Sequence, residues 1–178
     1  MYLYYRNASL ETAAAELVLL VAGFQTQLLN LEFVSNELYL CLEDDGLYVY
    51  SAQFKPLNLK HFYSDFIAKR KPAIKREILI QAINLRATAD NLIYGLDTTA
   101  GLGRDAILMS LAGYRITMLE NNPYLAVVLN YLCIEFAVQL PFLEVVYSDN
   151  LTYLHESNKV YNLIYLDPMF NDGKQALA

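Results

Sequence analysis

The stretch that decides the fold is "GLDTTAGLGRDAILMSLAGYRITMLENNP", residues 95–123. It contains a short apolar run, a loop with two glycines, a segment with helical spacing of apolar residues, a second apolar run and then an acid. An apolar strand that leads through a glycine-containing turn into a helix is the layout of a nucleotide-binding βαβ unit. The stretch therefore predicts a parallel sheet with a ligand site at the turn.

The same alternation continues towards the end of the sequence. Predicted strands are "NLIYGLD", "RITMLE", "FLEVVYSD" and "YNLIYLDPMF", and predicted helices are "GRDAILMSLAGY" and "NPYLAVVLNYLCIEFAVQL". Continuous apolar strands separated by helices are typical of an open parallel sheet that is covered on both faces. We therefore expect an α/β fold with four parallel strands in residues 91–178.

The N-terminal part has a different pattern. "MYLYY" predicts a strand, Ser9 is the expected N-cap of a helix that runs to Gly23, and "ELYLCL" and "GLYVYSA" predict a β-hairpin around "EDDG". The helical spacing of "AIKREILIQAINL" predicts a further helix after a basic segment. The expected division is a small N-terminal α+β region at 1–54, a basic linker and helix at 55–90, and the α/β domain at 91–178.

Composition places the protein among globular cytoplasmic proteins. Hydrophobic residues make up 56% of the chain and charged residues 18%, so a large core is expected and disorder is not. Cys41 and Cys133 lie far apart without metal-binding or disulfide spacing, which predicts buried thiols in a reducing compartment and no bound metal. The longest apolar stretch, residues 13–24, contains Glu16 and is too short to cross a membrane.

The charge is unevenly distributed along the chain. The net charge is −6, yet seven of the 13 Lys and Arg residues lie between residues 55 and 76, where there is one acid. Aromatic residues are interleaved with these basic residues, as in phosphate-facing patches that bind nucleic acid. The alternative is an ordinary solvated helix surface. The candidate phosphate contacts are Lys69, Arg70, Lys71, Lys75 and Arg76.

The glycine loop does not by itself identify the ligand. Gly101 and Gly103, with Ala106 at the third position, match the dinucleotide pattern G-x-G-x-x-A. However, Asp97 directly precedes the loop and Asp105 lies at the helix start, and carboxylates there would repel a diphosphate. They suit a ligand with a positive end. S-adenosylmethionine, which has a sulfonium, an ammonium and a ribose but no phosphate, fits this loop, and a nicotinamide dinucleotide is the alternative.

Acids follow three successive predicted strands. Glu120, at the end of the second strand, is placed to accept hydrogen bonds from two ribose hydroxyls, although nicotinamide enzymes use the same device. A single acid in such a position can equally be a solvated strand end. Because the carboxyl ends of parallel strands meet at the ligand crevice, we expect Asp97, Glu120 and Asp149 to converge there.

The fourth strand carries the residues that indicate a reaction. "YLDPMF" places Asp167 before a proline that restricts the backbone, and Phe170 lies two residues beyond that proline. A carboxylate that accepts from an exocyclic amine would orient the nitrogen lone pair towards a methyl donor and stabilise the developing positive charge. An aromatic ring alongside can stack on a flipped-out base. We therefore expect Asp167 to be catalytic and Phe170 to bind the substrate.

Together, "DTTAGLGRDA", "MLENNP" and "YLDPMF" resemble the bacterial ribosomal RNA small subunit methyltransferase J family. The resemblance includes "AKRKPAIKREILIQAI" and covers roughly residues 46–178. It implies a Rossmann-like methyltransferase fold, S-adenosylmethionine as cofactor, 16S rRNA or the small ribosomal subunit as partner, and methylation of a guanine N2. The cofactor residues that it implies are Arg104, Asp105, Glu120, Asn121, Asp149, Asn150 and Asp167.

Two features depart from that family. Asn171 stands where the family usually has a proline, and the sequence ends at Ala178, just after the fourth strand of a fold that has seven. We therefore expect an incomplete fold with the first four strands. The alternative function is that of a non-catalytic truncated fragment that retains at most cofactor binding.

Overall fold

The computed structural model describes residues 1–29, 37–88 and 91–167. The strands are β1 (Tyr2–Tyr5), β2 (Gln25–Leu28), β3 (Tyr39–Glu43), β4 (Gly46–Ser51), β5 (Phe54–Asn58), β6 (Tyr94–Asp97), β7 (Arg115–Glu120), β8 (Leu143–Tyr147) and β9 (Leu163–Tyr165). The α-helices are α1 (Glu11–Val18), α2 (Leu59–Arg70), α3 (Ile78–Ile83), α4 (Arg104–Leu111), α5 (Pro123–Glu135) and α6 (Asn150–Glu156). Two short 3-10 helices span Ala8–Leu10 and Lys71–Arg76.

The second sheet contains the four strands that the sequence predicted. Its order is β8-β7-β6-β9, and every neighbouring pair is parallel. Helix α4 packs on β7, and α5 packs on β7 and β8, because both helices are rich in buried apolar side chains. The predicted Rossmann-like α/β fold is confirmed. The reversal of strand order between β7 and β9 around β6 creates the crevice in which such folds bind ligands.

The first sheet has five strands in the order β2-β1-β3-β4-β5. β1 pairs in parallel with β2 and β3, whereas β3, β4 and β5 form an antiparallel meander. The hairpin predicted around "EDDG" is confirmed, since Glu43 pairs with Gly46 across a two-residue turn. β2 and β5 were not predicted. Because β5 covers Phe54–Asn58, the first sheet continues past residue 54.

Two predicted helices are shorter than their sequence patterns indicated. The cap of the first helical segment is Asn7, not Ser9, and α1 ends at Val18, before Gly23. The pattern expected to form one helix over residues 73–85 is instead divided into the second 3-10 helix and α3. The division follows from the extended backbone of Glu77, with φ −62° and ψ 131°, which interrupts the helical hydrogen bonding.

The two sheets share one core. Buried apolar residues from both sheets belong to a single cluster, and α1 packs directly against α5. Asn130, in the buried middle of α5, donates through Nδ2 to the carbonyl oxygens of Glu16 at 3.2 Å and Leu17 at 3.0 Å. This side chain adds a donor to two carbonyl groups in the last turn of α1, where the regular helical hydrogen bonding ends. The first sheet is therefore packed against the α/β domain.

β9 is an edge strand of the second sheet, and apolar side chains in it and directly after it are exposed. Ile164 is 59% exposed and the following Leu166 is 63% exposed, so the described residues do not cover this sheet on both faces as the sequence pattern predicted. Cys41 is buried and Cys133 half-buried, and both are free thiols. No helix in the described ranges is long and apolar enough to cross a membrane.

Candidate functional site

The turn between β6 and α4 has the backbone that its two glycines predict. Gly101 has φ +53° and Gly103 has φ +73°, a backbone conformation that residues with a side chain rarely adopt. A Cβ atom on Gly103 would lie 2.8 Å from Cδ2 of Leu129 on α5. Gly103 therefore permits close packing of the turn on α5, whereas the space around Gly101 is open apart from the carbonyl of Thr99 at 3.9 Å.

A cavity of about 740 Å³ opens beside this turn, at the carboxyl ends of β6 and β7. This volume lies within the roughly 300–1,000 Å³ typical of small-molecule sites. The wall consists of Thr98, Thr99, Ala100, Gly101, Leu102, Arg104, Asp105, Leu119, Glu120, Asn121, Leu125, Asn150 and Asp167. The structure thus brings together seven of the sequence-predicted cofactor residues, which are Gly101, Arg104, Asp105, Glu120, Asn121, Asn150 and Asp167.

Glu120 is the most firmly held acid of the cavity wall. Its Oε2 accepts from the backbone N–H of Gly101 at 3.1 Å, and its Oε1 accepts from the N–H of Asn122 at 2.8 Å. The residue is only 9% exposed. Because a carboxylate has about four acceptor positions, both oxygens can still accept from a ligand. Two backbone donors therefore fix a carboxylate in the position expected for binding ribose hydroxyls.

Asp97 lies behind the cavity wall. Its side chain is 1% exposed, and Oδ1 accepts from the backbone N–H of Thr99 at 3.0 Å. Burial raises the pKa of Asp97 from 3.8 to about 6, the hydrogen bond from Thr99 lowers it, and the nearby carboxylates of Asp105, Glu120 and Asp167 raise it further. Asp97, a predicted cofactor residue, is not among the wall residues, and its carboxylate accepts from the backbone of the turn.

Asp105 and the end of β9 are connected by hydrogen bonds. The hydroxyl of Tyr165 donates to Oδ2 of Asp105 at 3.0 Å, and burial of that hydroxyl raises the pKa of Tyr165. The carbonyl of Tyr165 accepts from both the backbone N–H and the hydroxyl of Thr98, each at 3.0 Å. These bonds hold the carboxyl end of β9 against the glycine turn.

Asp167 lies in the cavity wall, where its backbone is hydrogen-bonded to Thr99. Its backbone N–H donates to Oγ1 of Thr99 at 2.8 Å, which fixes the chain directly before the proline of the Asp-Pro pair. The side chain is exposed and forms part of the cavity wall, so it is accessible to a second ligand as well as to the first. Phe170, the predicted base-stacking residue, lies outside the described residues.

Asp149, a predicted cofactor residue, is not among the residues of the cavity wall. It is the N-cap of α6, where Oδ1 accepts from the backbone N–H of Thr152 at 2.9 Å, and hydrogen bonds from the side chain and the backbone of Thr152 lower the pKa of Asp149. The adjacent Asn150 is a wall residue and Asp149 is not. A strand-end acid that precedes a helix satisfies the backbone donors of that helix, which explains the difference.

The basic residues form an exposed surface at the end of α2 and along the second 3-10 helix. All five candidates, Lys69, Arg70, Lys71, Lys75 and Arg76, are exposed. Arg70 pairs with Glu77 at 3.1 Å, and no other member of this set has an ion-pair partner among the described residues. The buried Tyr63 on α2 donates its hydroxyl to the carbonyl of Leu102 at 3.0 Å. The basic surface is thereby attached to the cavity wall.

The sequence interpretation did not single out Thr98, Thr99 or Tyr165, although all three organise the site. The available signal was the pair of threonines between Asp97 and the glycines, since small hydroxyl side chains commonly bond to nearby backbone groups in turns. In the described ranges no three His, Cys, Asp or Glu side chains are grouped to hold a metal ion.

Comparison with known proteins identifies the class to which this site belongs. The family model for S-adenosylmethionine-dependent methyltransferases matches residues 25–178. The chain therefore belongs to the S-adenosylmethionine-dependent methyltransferase family, whose cofactor is S-adenosylmethionine. A methyltransferase of this class from Neisseria gonorrhoeae has the same fold, with a TM-score of 0.64 at 18% identity, covering 96% of this chain and 70% of that one.

Individual relatives have a more specific name. The chain is 31% identical over 155 residues to the ribosomal RNA small subunit methyltransferase J of Francisella tularensis subsp. novicida, covering 83% of this chain and 63% of the relative. It is 33% identical over 107 residues to the protein of the same name from Coxiella burnetii, covering 57% of this chain and 41% of the relative. The chain thus spans less than two thirds of the length of these curated relatives.

Proposed function

We propose that the chain acts in an S-adenosylmethionine-dependent methyltransferase that modifies the N2 exocyclic amine of a guanine in 16S rRNA, in the cytoplasm. The observation that carries the proposal is the cavity at the strand ends, where the anchored carboxylate of Glu120 and the accessible carboxylate of Asp167 share one wall. The name of the Francisella and Coxiella relatives supports small-subunit ribosomal RNA as the substrate.

The charges of the cavity wall fit this cofactor. Asp105, Glu120 and Asp167 provide carboxylates, which suit a ligand with cationic groups and ribose hydroxyls. A dinucleotide would bring a diphosphate towards the same acids, which is unfavourable. When bound, S-adenosylmethionine supplies a methyl group attached to a positively charged sulfur. Glu120 binds the ribose hydroxyls, and the glycine turn leaves the backbone open to the ligand.

Asp167 is the residue that acts on the base. Its carboxylate accepts a hydrogen bond from the N–H of the exocyclic amine and orients the nitrogen lone pair towards the methyl group. As the N–CH₃ bond would form and the S–CH₃ bond break, S-adenosylhomocysteine would leave as a neutral thioether and the carboxylate would stabilise the positive charge on the nitrogen. The same carboxylate would accept the proton that the amine loses. The hydrogen bond from the Asp167 N–H to Thr99 holds this group in position before the substrate arrives. Positioning of the two reactants then accounts for most of the acceleration.

No covalent intermediate on the protein is required. Cys133, on α5, is a free thiol, and burial raises its pKa to about 12. It therefore remains protonated and weakly nucleophilic at neutral pH.

The exposed basic surface binds the RNA backbone. Lysine and arginine side chains there contact phosphates, and Phe170 stacks on the flipped-out guanine. The bond between Tyr63 and Leu102 gives the RNA-binding helix a fixed position relative to the cavity. The base is thereby directed to Asp167.

Two measurements test this function. Calorimetric titration should detect binding of S-adenosylhomocysteine and none of NADH. The second measurement is transfer of a labelled methyl group to small ribosomal subunits that lack the modification, followed by nuclease digestion and identification of N2-methylguanosine. Binding of NADH in place of S-adenosylhomocysteine, or label on another atom of the RNA, would refute the proposal.

Cofactor binding without catalysis is the second candidate. It is favoured by the exposed apolar side chains of Ile164 and Leu166, because the described residues leave this edge of the sheet, beside Asp167, without an apolar partner. Normal affinity for S-adenosylhomocysteine, combined with absent methyl transfer to subunits, would identify this case.

A further inference from the structure

An aromatic side chain of the basic segment contacts the cavity wall. The guanidinium carbon of Arg104 lies 5.1 Å from the ring centroid of Phe66, on α2. The guanidinium carbon of Arg70 lies 5.6 Å from the same centroid. Both distances are within the roughly 6 Å at which a cation and an aromatic face attract each other. Arg70 is also paired with Glu77 at 3.1 Å, which reduces its repulsion of Arg104.

Among the described residues of the cavity wall, Arg104 is the one with a positive charge. Asp105, Glu120 and Asp167 are the other charged residues of that wall. Within the described ranges, no carboxylate lies within 4.0 Å of the Arg104 guanidinium. The amino-acid end of S-adenosylmethionine carries a carboxylate, which the three acids repel and a guanidinium can bind with two parallel hydrogen bonds.

We propose that Phe66 is a positioning residue that holds the guanidinium of Arg104 in the cavity wall, where Arg104 binds the carboxylate of the cofactor. This inference rests on the proposed function, because it requires that the cavity binds S-adenosylmethionine. An exposed arginine has many rotamers, and a stacked guanidinium loses less freedom when it forms its hydrogen bonds. The ring covers one face of the guanidinium and leaves the N–H groups at its edge available to the ligand.

The effect of Phe66 is therefore specific to ligands that have the carboxylate. S-adenosylhomocysteine contains the amino-acid end, whereas 5′-methylthioadenosine contains the same nucleoside and sulfur without it. Removal of one exposed cation–π interaction should weaken S-adenosylhomocysteine binding by roughly 2- to 5-fold and leave 5′-methylthioadenosine binding unchanged.

The experiment compares three variants with the wild type by calorimetric titration of both ligands. Phe66→Leu removes the ring and keeps an apolar side chain, and Phe66→Tyr keeps the ring. Phe62→Leu makes the same change one helical turn earlier, at a partly buried ring that packs on Tyr63. Thermal unfolding of each variant is measured in parallel.

Selective loss of S-adenosylhomocysteine affinity in Phe66→Leu, with recovery in Phe66→Tyr and no selectivity in Phe62→Leu, would support the proposal. In an Arg104→Met background, Phe66→Leu should have no further effect on this affinity. Equal weakening of both ligands, or no weakening of either, would overturn it and leave Phe66 as a packing residue. A wild-type chain that binds neither ligand would instead refute the proposed function, and this inference with it.

Discussion

Glu120→Gln is the most informative single change in the cavity. The variant keeps the shape of the side chain and replaces one carboxylate oxygen by an NH₂ group. In the structure, both oxygens accept from backbone N–H groups, those of Gly101 and Asn122. Whichever way the amide is oriented, one of these donors then faces another donor. One of the two backbone donors therefore loses its hydrogen bond, and the ligand loses a charged acceptor.

The expected loss can be worked out from these hydrogen bonds. A hydrogen bond to a charged group contributes about 1.5–3 kcal/mol. If the ribose loses one such bond, the dissociation constant for S-adenosylhomocysteine should rise by about 10- to 140-fold. Because a nearly buried backbone donor also loses its acceptor, the free energy of unfolding should fall by about 1–3 kcal/mol. The variant should therefore remain folded and bind weakly.

Calorimetric titration measures the affinity, and chemical denaturation measures the stability. The matched control is Glu144→Gln, which changes an acid on the adjacent strand β8 that bonds to Lys159 and Thr117 and is not part of the cavity wall. This control should bind S-adenosylhomocysteine as the wild type does. If Glu120→Gln is folded and its affinity equals that of the wild type, Glu120 only shapes the turn and does not bind the ribose.

Three further outcomes are expected. Replacing Lys69, Lys71 and Lys75 by Ala should weaken RNA binding and reduce its salt slope by about 0.7–0.9 for each phosphate interaction that is removed, with unchanged affinity for S-adenosylhomocysteine; an unchanged slope would mean that this surface is only solvated. Asp167→Asn should lower single-turnover methyl transfer by about 10²–10³ with much smaller changes in affinity, and an equal rate would exclude the role given to its charge. Burial raises the pKa of Asp97 from 3.8 to about 6, so the folded protein binds the proton of this carboxyl group more tightly than the unfolded chain does. The free energy of unfolding should therefore fall by up to about 3 kcal/mol as the pH rises from about 4 through 6. Denaturation of Asp97→Asn should lack this fall, and parallel pH profiles for the two proteins would contradict the assignment.

The α/β half of the fold could be predicted because its signals are local. Four apolar runs, the first three separated by predicted helices, indicate a parallel sheet. The helix α6 between β8 and β9 was not predicted. The first sheet was harder to predict. β2 has the sequence "QTQL", which lacks an apolar run, and β5 contains Pro56, a residue type that argues against a strand. Proline is tolerated in β5 because that strand lies at the sheet edge.

As with the fold, only part of the candidate site could be predicted from the sequence. Glu120 and the glycine turn lie where a βαβ pattern places them, since strand order and the turn determine their positions. Asp97 and Asp149 follow strands in the same way, yet one is buried behind the turn and the other caps α6. Both carboxylates accept from backbone N–H groups two or three residues later in the chain. What distinguishes them is burial, which depends on packing between segments that are distant in sequence, and no sequence spacing encodes this packing.

Asn130 has a consequence for how the two sheets can be separated. Its carboxamide is buried, and its two acceptors are carbonyls of α1, more than one hundred residues earlier in the chain. A chain that began at α2 would leave this amide without partners and would expose the apolar side of α5. Because both acceptors are backbone carbonyls, an exchanged N-terminal region would keep these bonds only if its first helix ended at the same place against α5. The first sheet is therefore packed as part of the methyltransferase domain, not as a detachable module.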